Sequence, residues 1–213
     1  MAISSTPPAA GYPVRFSVDY PETLNRLTTA FRIIWIIPIA IVLGALSRSE
    51  FAFGGNGAAY SGAAGGGGVL FLPVLLMLLF RRKYPAWWFD WNLQFARFSA
   101  RVTTYFVLLR DEYPSTDEEQ AVHLEIDPPD ATTLNRWLPL VKWFLAIPHY
   151  IVLIFLGLAA AVVTILAWFA ILFTGRYPRG MHSFVVGVGR WSYRVTAYAF
   201  ILTTDQYPPF SLE

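Results

Sequence analysis

The sequence contains an internal repeat, and this feature restricts the possible folds more than any other. Leu24–Arg26 recurs as Leu134–Arg136, 110 positions later (134 minus 24). Tyr84-Pro85 recurs as Tyr177-Pro178 at a spacing of 93 (177 minus 84). The spacing shortens because the first copy holds a segment rich in Gly, Ala and Ser, residues 54–68. We therefore expect the fold to contain two copies of one structural unit.

Two apolar segments are long enough to cross a lipid bilayer. Of the 213 residues, 55% are hydrophobic and 14% are charged, which is less charge than soluble domains usually carry. Leu27–Leu46 has one charged residue, and Leu138–Thr174 has only Lys142 and His149 as ionisable groups. As one helix the second segment would measure about 55 Å, whereas a hydrocarbon layer needs ~30 Å. We therefore expect a turn near Gly157 to divide it into two spans.

The predicted fold is a membrane protein of the mainly α class, with a duplicated two-helix transmembrane unit and about four spans. The two repeats are residues 12–114 and residues 120–213. Each repeat is expected to add an interfacial amphipathic helix and a short β segment on the cytoplasmic side. The Gly-rich segment of the first repeat is expected to be an external loop.

Basic residues predict the orientation of the chain in the membrane. Arg81–Lys83 follows the second predicted span of the first repeat, and Arg176 and Arg179 follow that of the second repeat. Positively charged residues concentrate on the cytoplasmic side of membrane proteins. We expect a multi-pass protein of the bacterial plasma (inner) membrane, with both termini in the cytoplasm and residues 52–68 outside.

Local periodicity predicts the elements outside the spans. Val14–Val18 and Val122–Ile126 alternate apolar and polar residues, which is typical of short strands. Ala86–Leu109 has polar and apolar residues at helical spacing and is expected to be an amphipathic helix at the interface. The corresponding helix of the second repeat contains additional glycines and should be weaker. Its end, Val195–Thr203, fits a strand equally well.

Several classes of chemistry are excluded by residue content. The chain has no cysteine, which removes disulfides and thiolate nucleophiles, and its net charge of +2 is too small to indicate nucleic acid. No phosphate-binding loop, nucleophile elbow or metal-binding helix motif occurs. The three histidines, His123, His149 and His182, do not have the spacing of metal ligands. We therefore expect no enzyme activity, no metal and no cofactor.

Three ionisable residues inside the apolar segments are candidate functional residues. His149 follows Pro148 within a predicted span, where an ionisable group is a candidate for proton relay, although hydrogen bonding to loosened backbone is the more common role. Arg32 and Lys142 stand at matching positions, 110 apart (142 minus 32). They fit interfacial anchors that extend to lipid headgroups, or a pocket for an anionic headgroup or carboxylate between the repeats.

Two arginine pairs are the other candidate binding residues: Arg97/Arg101 and Arg190/Arg194. The spacing of four places both guanidinium groups of a pair on one face of a helix. Two neighbouring guanidinium groups repel each other unless they share an anion or water, and lipid phosphate is the simplest such anion. Internal salt bridges are the alternative, with three candidate carboxylates: Asp90, Asp111 and Asp205.

The second repeat carries distinctive motifs, above all Trp168–Pro178, together with Arg190–Ser192 and Tyr207–Phe210. With these motifs the chain resembles the bacterial uncharacterised domain family numbered 4389. The first repeat resembles it more loosely, as a second tandem copy, and departs from the pattern at Ile39 and at Arg82-Lys83. The resemblance implies an integral membrane protein and brings no assigned activity.

The functional prediction is a non-catalytic integral membrane protein that acts as an accessory or scaffold subunit of a larger bacterial membrane assembly. Its expected partners are membrane lipids, including anionic lipid at the cytoplasmic face, and other membrane protein subunits. The alternative is a small transporter or channel component with a path between the two repeats, and a membrane enzyme ranks third. The spans offer few polar residues to line such a path.

Overall fold

The computed structural model describes residues 11–47, 68–81, 83–116, 118, 120–130 and 134–213. The Gly-rich segment between residues 48 and 67 lies outside the described residues, and so does Arg82. Statements below about a first half and a second half refer to residues 12–114 and 120–213.

Two strands form a small antiparallel sheet: β1, Val14–Val18, and β2, Val122–Ile126. Both strands were predicted from alternation, and both are confirmed. Phe16 lies opposite Leu124 at the centre of the pairing, and both side chains are buried. The polar side chains that alternate with the apolar ones along both strands lie on the opposite face of the sheet. They are exposed, and some of them form ion pairs.

The remaining described elements are helical. They are α1 Arg26–Ala30, α2 Arg32–Trp35, α3 Ile37–Ser47, α4 Gly68–Arg81, α5 Ala86–Phe106, a 3₁₀ turn at Leu138–Leu140, α6 Lys142–Leu145, α7 Ile147–Thr174, α8 Arg179–Thr196 and a π-helix at Ala197–Ile201.

The amphipathic helix predicted for the first repeat is confirmed as α5. Its buried residues recur at helical spacing, including Phe89, Ala96 and Ala100. Pro85, in extended conformation, precedes the first turn, where its missing N–H costs no helical hydrogen bond. Val107 ends the helix, and Leu108 follows with a positive φ of 67°.

The prediction of a turn near Gly157 is wrong, because α7 is one continuous helix of 28 residues. Gly157 lies inside this helix, so it is not a turn. It also has open space around its Cα, so it is not a site of close approach. A single glycine costs a helix about 1 kcal/mol, which three following alanines, Ala159–Ala161, and a long apolar run offset. The helix ends at Gly175, whose φ of 72° is left-handed, and Pro178 then prevents continuation.

The strand alternative for Val195–Thr203 is also wrong. This segment continues α8 as the π-helix and ends at Leu202, which has a φ of 61°. The glycines of α8 do not interrupt it. A Cβ at Gly189 would lie 3.0 Å from the ring of Phe16, so this glycine lets β1 pack closely on the helix.

Packing crosses between the two halves. In the main core β1 packs on α8, whereas β2 packs on α5. The ring of Phe16 lies 5.0 Å from that of Tyr193 on α8. The N–H of Leu24, just before α1, donates to the carbonyl of Gly175 at the end of α7. Each strand therefore covers the helix of the other half.

The four-span fold predicted from the sequence is contradicted. Within the described ranges, α7 is the one helix long and apolar enough to cross a membrane. The pair of membrane-spanning helices predicted for each repeat is not found. In the first half, α3 has 11 residues and α4 has 14. In the second half, the single helix α7 stands in place of the predicted pair. A multi-pass topology with both termini on one side is therefore not supported, and the external segment 52–68 lies outside the described residues apart from Gly68.

Candidate functional site

Arg32 is a buried cation of the first half, where it begins α2 and is 2% exposed. Its guanidinium donates to the carbonyl oxygens of Tyr105, at 2.9 Å, and Arg110, and it forms an ion pair with Asp111. The guanidinium carbon also lies 4.3 Å from the centre of the Tyr105 ring. Burial removes the water around the Arg32 charge, and these groups supply hydrogen bonds and a counter-charge in its place.

The buried cation of the second half is Lys142, which begins α6 and is 0% exposed. Its Nζ donates to the carbonyl of Thr204 at 2.8 Å and lies 2.7 Å from Oδ1 of Asp205. The ring of Tyr198 lies 5.3 Å from Nζ. Neither Lys142 nor Arg32 extends to solvent, so the prediction that they are exposed headgroup anchors does not match their placement.

Asp111 and Asp205 make a second matching contact. The backbone N–H of Asn25 donates to Oδ2 of Asp111 at 2.5 Å, and that of Asn135 donates to Oδ2 of Asp205 at 2.5 Å. The Asn25 side chain in turn caps α1 by accepting from two N–H groups. Each aspartate thus connects a helix start to a buried cation. Sequence reasoning missed this link, although the two aspartates stand 94 apart (205 minus 111), close to the repeat spacing.

The first arginine pair binds backbone carbonyls. Arg97 Nε donates to the carbonyl of Leu124 in β2 at 2.9 Å, and Arg101 Nη1 donates to that of Ser115 at 2.9 Å. Asp90, one of the predicted partners, is exposed on α5. The carboxylates predicted as salt-bridge partners therefore pair elsewhere or face solvent.

The second arginine pair does the same on α8. Arg190 donates to the carbonyls of Phe16 in β1, at 3.0 Å, and Leu212, at 2.9 Å. Arg194 donates to the carbonyls of Ser211, at 3.4 Å, and Glu213. Burial, together with the neighbouring Arg190, lowers the pKa of Arg194. Binding of lipid or a protein partner by these arginines stays a prediction.

His149 lies at the start of α7 in an aromatic cluster and is fully buried. The indole N–H of Trp191 donates to its Nδ1 at 3.0 Å, and the ring of Phe210 stacks on it at 4.0 Å. Because Nδ1 accepts, the proton of the neutral ring is on Nε2, which has no hydrogen-bond partner in the described part of the chain. The arrangement favours a packing role over proton relay.

A second histidine, His182 on α8, is buried between two tyrosine rings. The rings of Tyr20 and Tyr177 lie 5.1 Å and 5.8 Å from it, both edge-on. The hydroxyl of Tyr20 donates to the carbonyl of Tyr177, and the guanidinium carbon of Arg179 lies 4.9 Å from the centre of the Tyr20 ring. Burial, reinforced by Arg110, lowers the pKa of His182. Sequence reasoning considered this residue only as a metal ligand.

A polar cleft of about 320 Å³ lies between the segments 20–24 and 110–112. Both signs of charge line it, with Arg110 beside Glu22 and Glu112. Among the described residues, no group of three His, Asp or Glu side chains is placed to hold a metal ion.

The comparisons with known proteins concern the second half. Residues 137–211 match the model of a family described as a domain of unknown function (DUF4389). The match supports the resemblance seen in the sequence, but it finds one copy, not two tandem copies. Searches among curated proteins and among solved structures gave no match.

Proposed function

We propose that the protein is a non-catalytic integral membrane protein of the bacterial plasma membrane, embedded through α7, and that it serves as an accessory or scaffold subunit of a larger assembly. The observation that carries this proposal is the exposed apolar surface of α7. Its most apolar 18-residue window is only 6% buried, whereas the core helix of a soluble protein would be mostly covered.

One stripe of α7 packs on the rest of the protein, and the remainder is open. His149, Ala167 and Ile171 are buried, with Leu153 and Ala160 partly buried between them. The opposite face carries large apolar side chains that are about half exposed or more: Ile151, Ile154, Phe155, Leu158, Val162, Ile165, Leu166, Phe169 and Phe173. At ~1.5 Å per residue, α7 is long enough for a ~30 Å hydrocarbon layer.

The helices α1 to α3 enlarge this apolar surface. Their exposed side chains are Leu27, Phe31, Ile33, Ile34, Trp35, Ile37, Ile41 and Val42. Soluble monomers rarely expose contiguous apolar patches above a few hundred Å², and larger ones mark contacts with membranes or other proteins. Lipid or a neighbouring apolar helix would cover both surfaces.

The outer face of the sheet has the opposite character. Arg15 pairs with Glu125 at 2.9 Å and with Asp127 at 3.0 Å, and all three side chains are substantially exposed. Exposed pairs of this kind add little stability, but they favour a surface in contact with water. The molecule therefore has an apolar surface on α7 and a polar surface on the sheet.

We also propose that the two halves derive from one duplicated unit, the first having diverged from the family. The support is the set of matching contacts: Arg32 and Lys142 each meet an aspartate, a tyrosine ring and a carbonyl from the corresponding segment. A non-catalytic role is supported by where the charges lie, since the buried cations are bound internally.

Charged substitutions on the open face of α7 test the membrane proposal. Leu158 and Ile165 are exposed, so L158K/I165K removes little internal packing. A lysine near the centre of a membrane helix costs about 2.5–3.5 kcal/mol. We expect the wild-type chain to stay in the membrane pellet after alkaline carbonate washing and the double variant to be released.

The matched control is S17K, on the exposed face of β1, which should be retained like the wild type. Extraction of the wild-type chain by carbonate would contradict the proposal, and so would full retention of the double variant. The accessory role is tested separately by native mass spectrometry of the chain purified from its own membranes in mild detergent. A stoichiometric partner is expected, and a chain accompanied by lipid alone would contradict that role.

A further inference from the structure

Three aromatic rings form a stack on α5, in which Trp91 is exposed and Trp88 and Phe95 are half-buried. Trp88 and Trp91 stack at 5.8 Å with an angle of 23°, and Trp91 and Phe95 stack at 5.6 Å with an angle of 1°. Trp87 meets Trp88 edge-on at 5.3 Å and is 69% exposed. Because both faces of Trp91 are occupied, the stack offers its ring edges outward instead of a free face for a sugar or a nucleobase.

Basic residues lie on the segments that neighbour this stack in the chain and in the fold. Phe80, which is 70% exposed, and Arg81, which is also exposed, are the last two residues of α4. Lys83 is exposed just after this helix. Arg136 donates to the carbonyl of Leu79 and lies 5.9 Å from the ring of Trp137, which is 65% exposed. The second half thereby adds a tryptophan to the same neighbourhood. We call this surface the Trp–basic patch: Phe80, Arg81, Lys83, Trp87, Trp91, Arg136 and Trp137.

The indole N–H groups are a second feature of the patch. Three tryptophans outside it, Trp143, Trp168 and Trp191, each donate a hydrogen bond within the protein. Within the described part of the chain, Trp87 and Trp137 make none, so their donors face outward. These side chains fit a binding partner that has a layer of hydrogen-bond acceptors next to an apolar layer. The headgroup region of a bilayer, which borders the hydrocarbon core, has this structure.

The matching positions do not repeat the tryptophans of the patch. At the repeat spacings, Gly180 stands where the first half has Trp87, Phe184 where it has Trp91, and Leu27 where the second half has Trp137. Residues 80–91 contain three basic residues and one acidic residue, so this segment has a net charge of +2 (three minus one). Apolar anchoring of α7 requires neither these tryptophans nor this charge.

We propose that the Trp–basic patch docks on the anionic headgroup layer of a bilayer, with its cations on lipid phosphate and its indoles at the level of the ester carbonyls. The inference rests on the proposed membrane location and adds the lipid class and the surface that recognises it. The separate arginine pairs on α5 and α8 are not part of this surface.

A fluorescent probe can measure the docking, because the chain has no cysteine. Ala86 is exposed beside Trp87 and is not itself a patch residue, so A86C labelled with an environment-sensitive dye leaves the patch intact. The labelled full chain is reconstituted in vesicles of phosphatidylcholine, with or without phosphatidylglycerol. We expect blue-shifted emission and quenching by lipids brominated near the headgroup, both larger with phosphatidylglycerol.

Two variants and one control complete the experiment. R81Q/K83Q should remove most of the dependence on phosphatidylglycerol, and W87A/W137A should return the emission towards that of water. S17C, on the polar face of the sheet, should report water in every vesicle. The labelled chain is reconstituted without any other protein, so shielding without bromolipid quenching would mean self-association and would overturn the inference.

The outcomes separate the two proposals. A water-like probe at A86C in protein that resists carbonate extraction would overturn the patch and leave the proposed function intact. Equal quenching in both kinds of vesicle would overturn the anionic-lipid assignment. Carbonate extraction of the unlabelled wild-type chain would contradict the proposed function itself.

Discussion

Matching positions in the two halves show which buried polar residues the fold itself requires. His149 and Trp191 correspond to Ile39 and Phe98 at the repeat spacings of 110 and 93. Both of the latter are buried and apolar. The second half therefore fills these buried positions with a hydrogen-bonded pair, and the first half fills them with apolar side chains. The cation–aspartate pair, in contrast, is present in both halves.

The first prediction concerns the His149–Trp191 pair. H149I should destabilise the protein by about 1–3 kcal/mol, because it leaves the buried indole N–H of Trp191 without its acceptor. The double replacement H149I/W191F copies the first half and should cost much less than the two single changes together. Thermal unfolding of the four proteins in one mild detergent measures the coupling. Additive losses would show that the hydrogen bond is not what the two residues share.

The second prediction concerns the buried cations. D205N leaves the ammonium of Lys142 buried without its carboxylate and should cost about 3–5 kcal/mol, whereas K142M/D205N removes both charges and should cost less. D90N, on an exposed residue of α5, is the control and should change stability little. A D205N protein with the wild-type melting temperature would show that the carbonyl of Thr204 is a sufficient partner.

The third prediction is an acid sensitivity due to His182. Because its folded pKa lies below the ordinary value near 6.5, the unfolded chain takes up a proton that the folded protein does not. Stability should therefore fall as the pH drops below about 6.5, until the folded pKa is reached. H182F keeps the ring shape and should flatten this part of a melting-temperature profile, while S183A on the exposed side of α8 should not. An unchanged slope in H182F would assign the effect to other groups.

At the scale of elements, local patterns predicted what depends on local geometry. Alternation fixes the inward face of β1 and β2, and helical spacing fixes that of α5, so these elements were found correctly. Hydropathy could not distinguish one long apolar helix from two shorter ones, because α7 and a divided pair contain the same residues. The partners of Arg32 and Lys142 depend on long-range packing, which no local pattern contains.

The π-helix accommodates one extra residue in the second half. Two residues separate Tyr105 from Leu108, whereas three separate Tyr198 from Leu202, and both leucines have a positive φ. The wider helical turn at Ala197–Ile201 absorbs the additional residue, so Asp205 still meets Lys142 as Asp111 meets Arg32. Most π-helices are, like this one, about a single turn long.

The fourth prediction tests this account by deletion. Removal of Phe200, which is partly exposed, should convert the π segment to a regular turn and keep the Lys142–Asp205 pair. Removal of Phe106, its exposed counterpart in α5, leaves no extra residue to absorb the change and should displace Asp111 from Arg32. We expect a small shift in melting temperature for the first deletion and a loss of folded protein for the second. Equal effects would contradict the idea of an inserted residue.

At the scale of the whole molecule, the proposed duplication predicts two units but not how they are joined. Each strand lies on the helix of the other half, and Arg97 and Arg190 fix this exchange by donating to the central carbonyls of β2 and β1. A repeated sequence is equally compatible with two separate domains. The exchange follows from side-chain complementarity, such as that of Gly189 with Phe16, which becomes visible only once the halves are placed together.

The last prediction follows from this exchange. If the chain is divided between residues 116 and 120, each half loses the strand that covers its own amphipathic helix, and α5 or α8 exposes a core face. Neither fragment should therefore form a monodisperse, thermally cooperative species alone, whereas coexpressed fragments should copurify in mild detergent and melt together. G189L should prevent this reassembly, because its side chain would occupy the space of the Phe16 ring, while G180L, where no atom lies within 4 Å, should permit it. Isolated fragments that fold separately and do not associate would show that the two halves are independent domains.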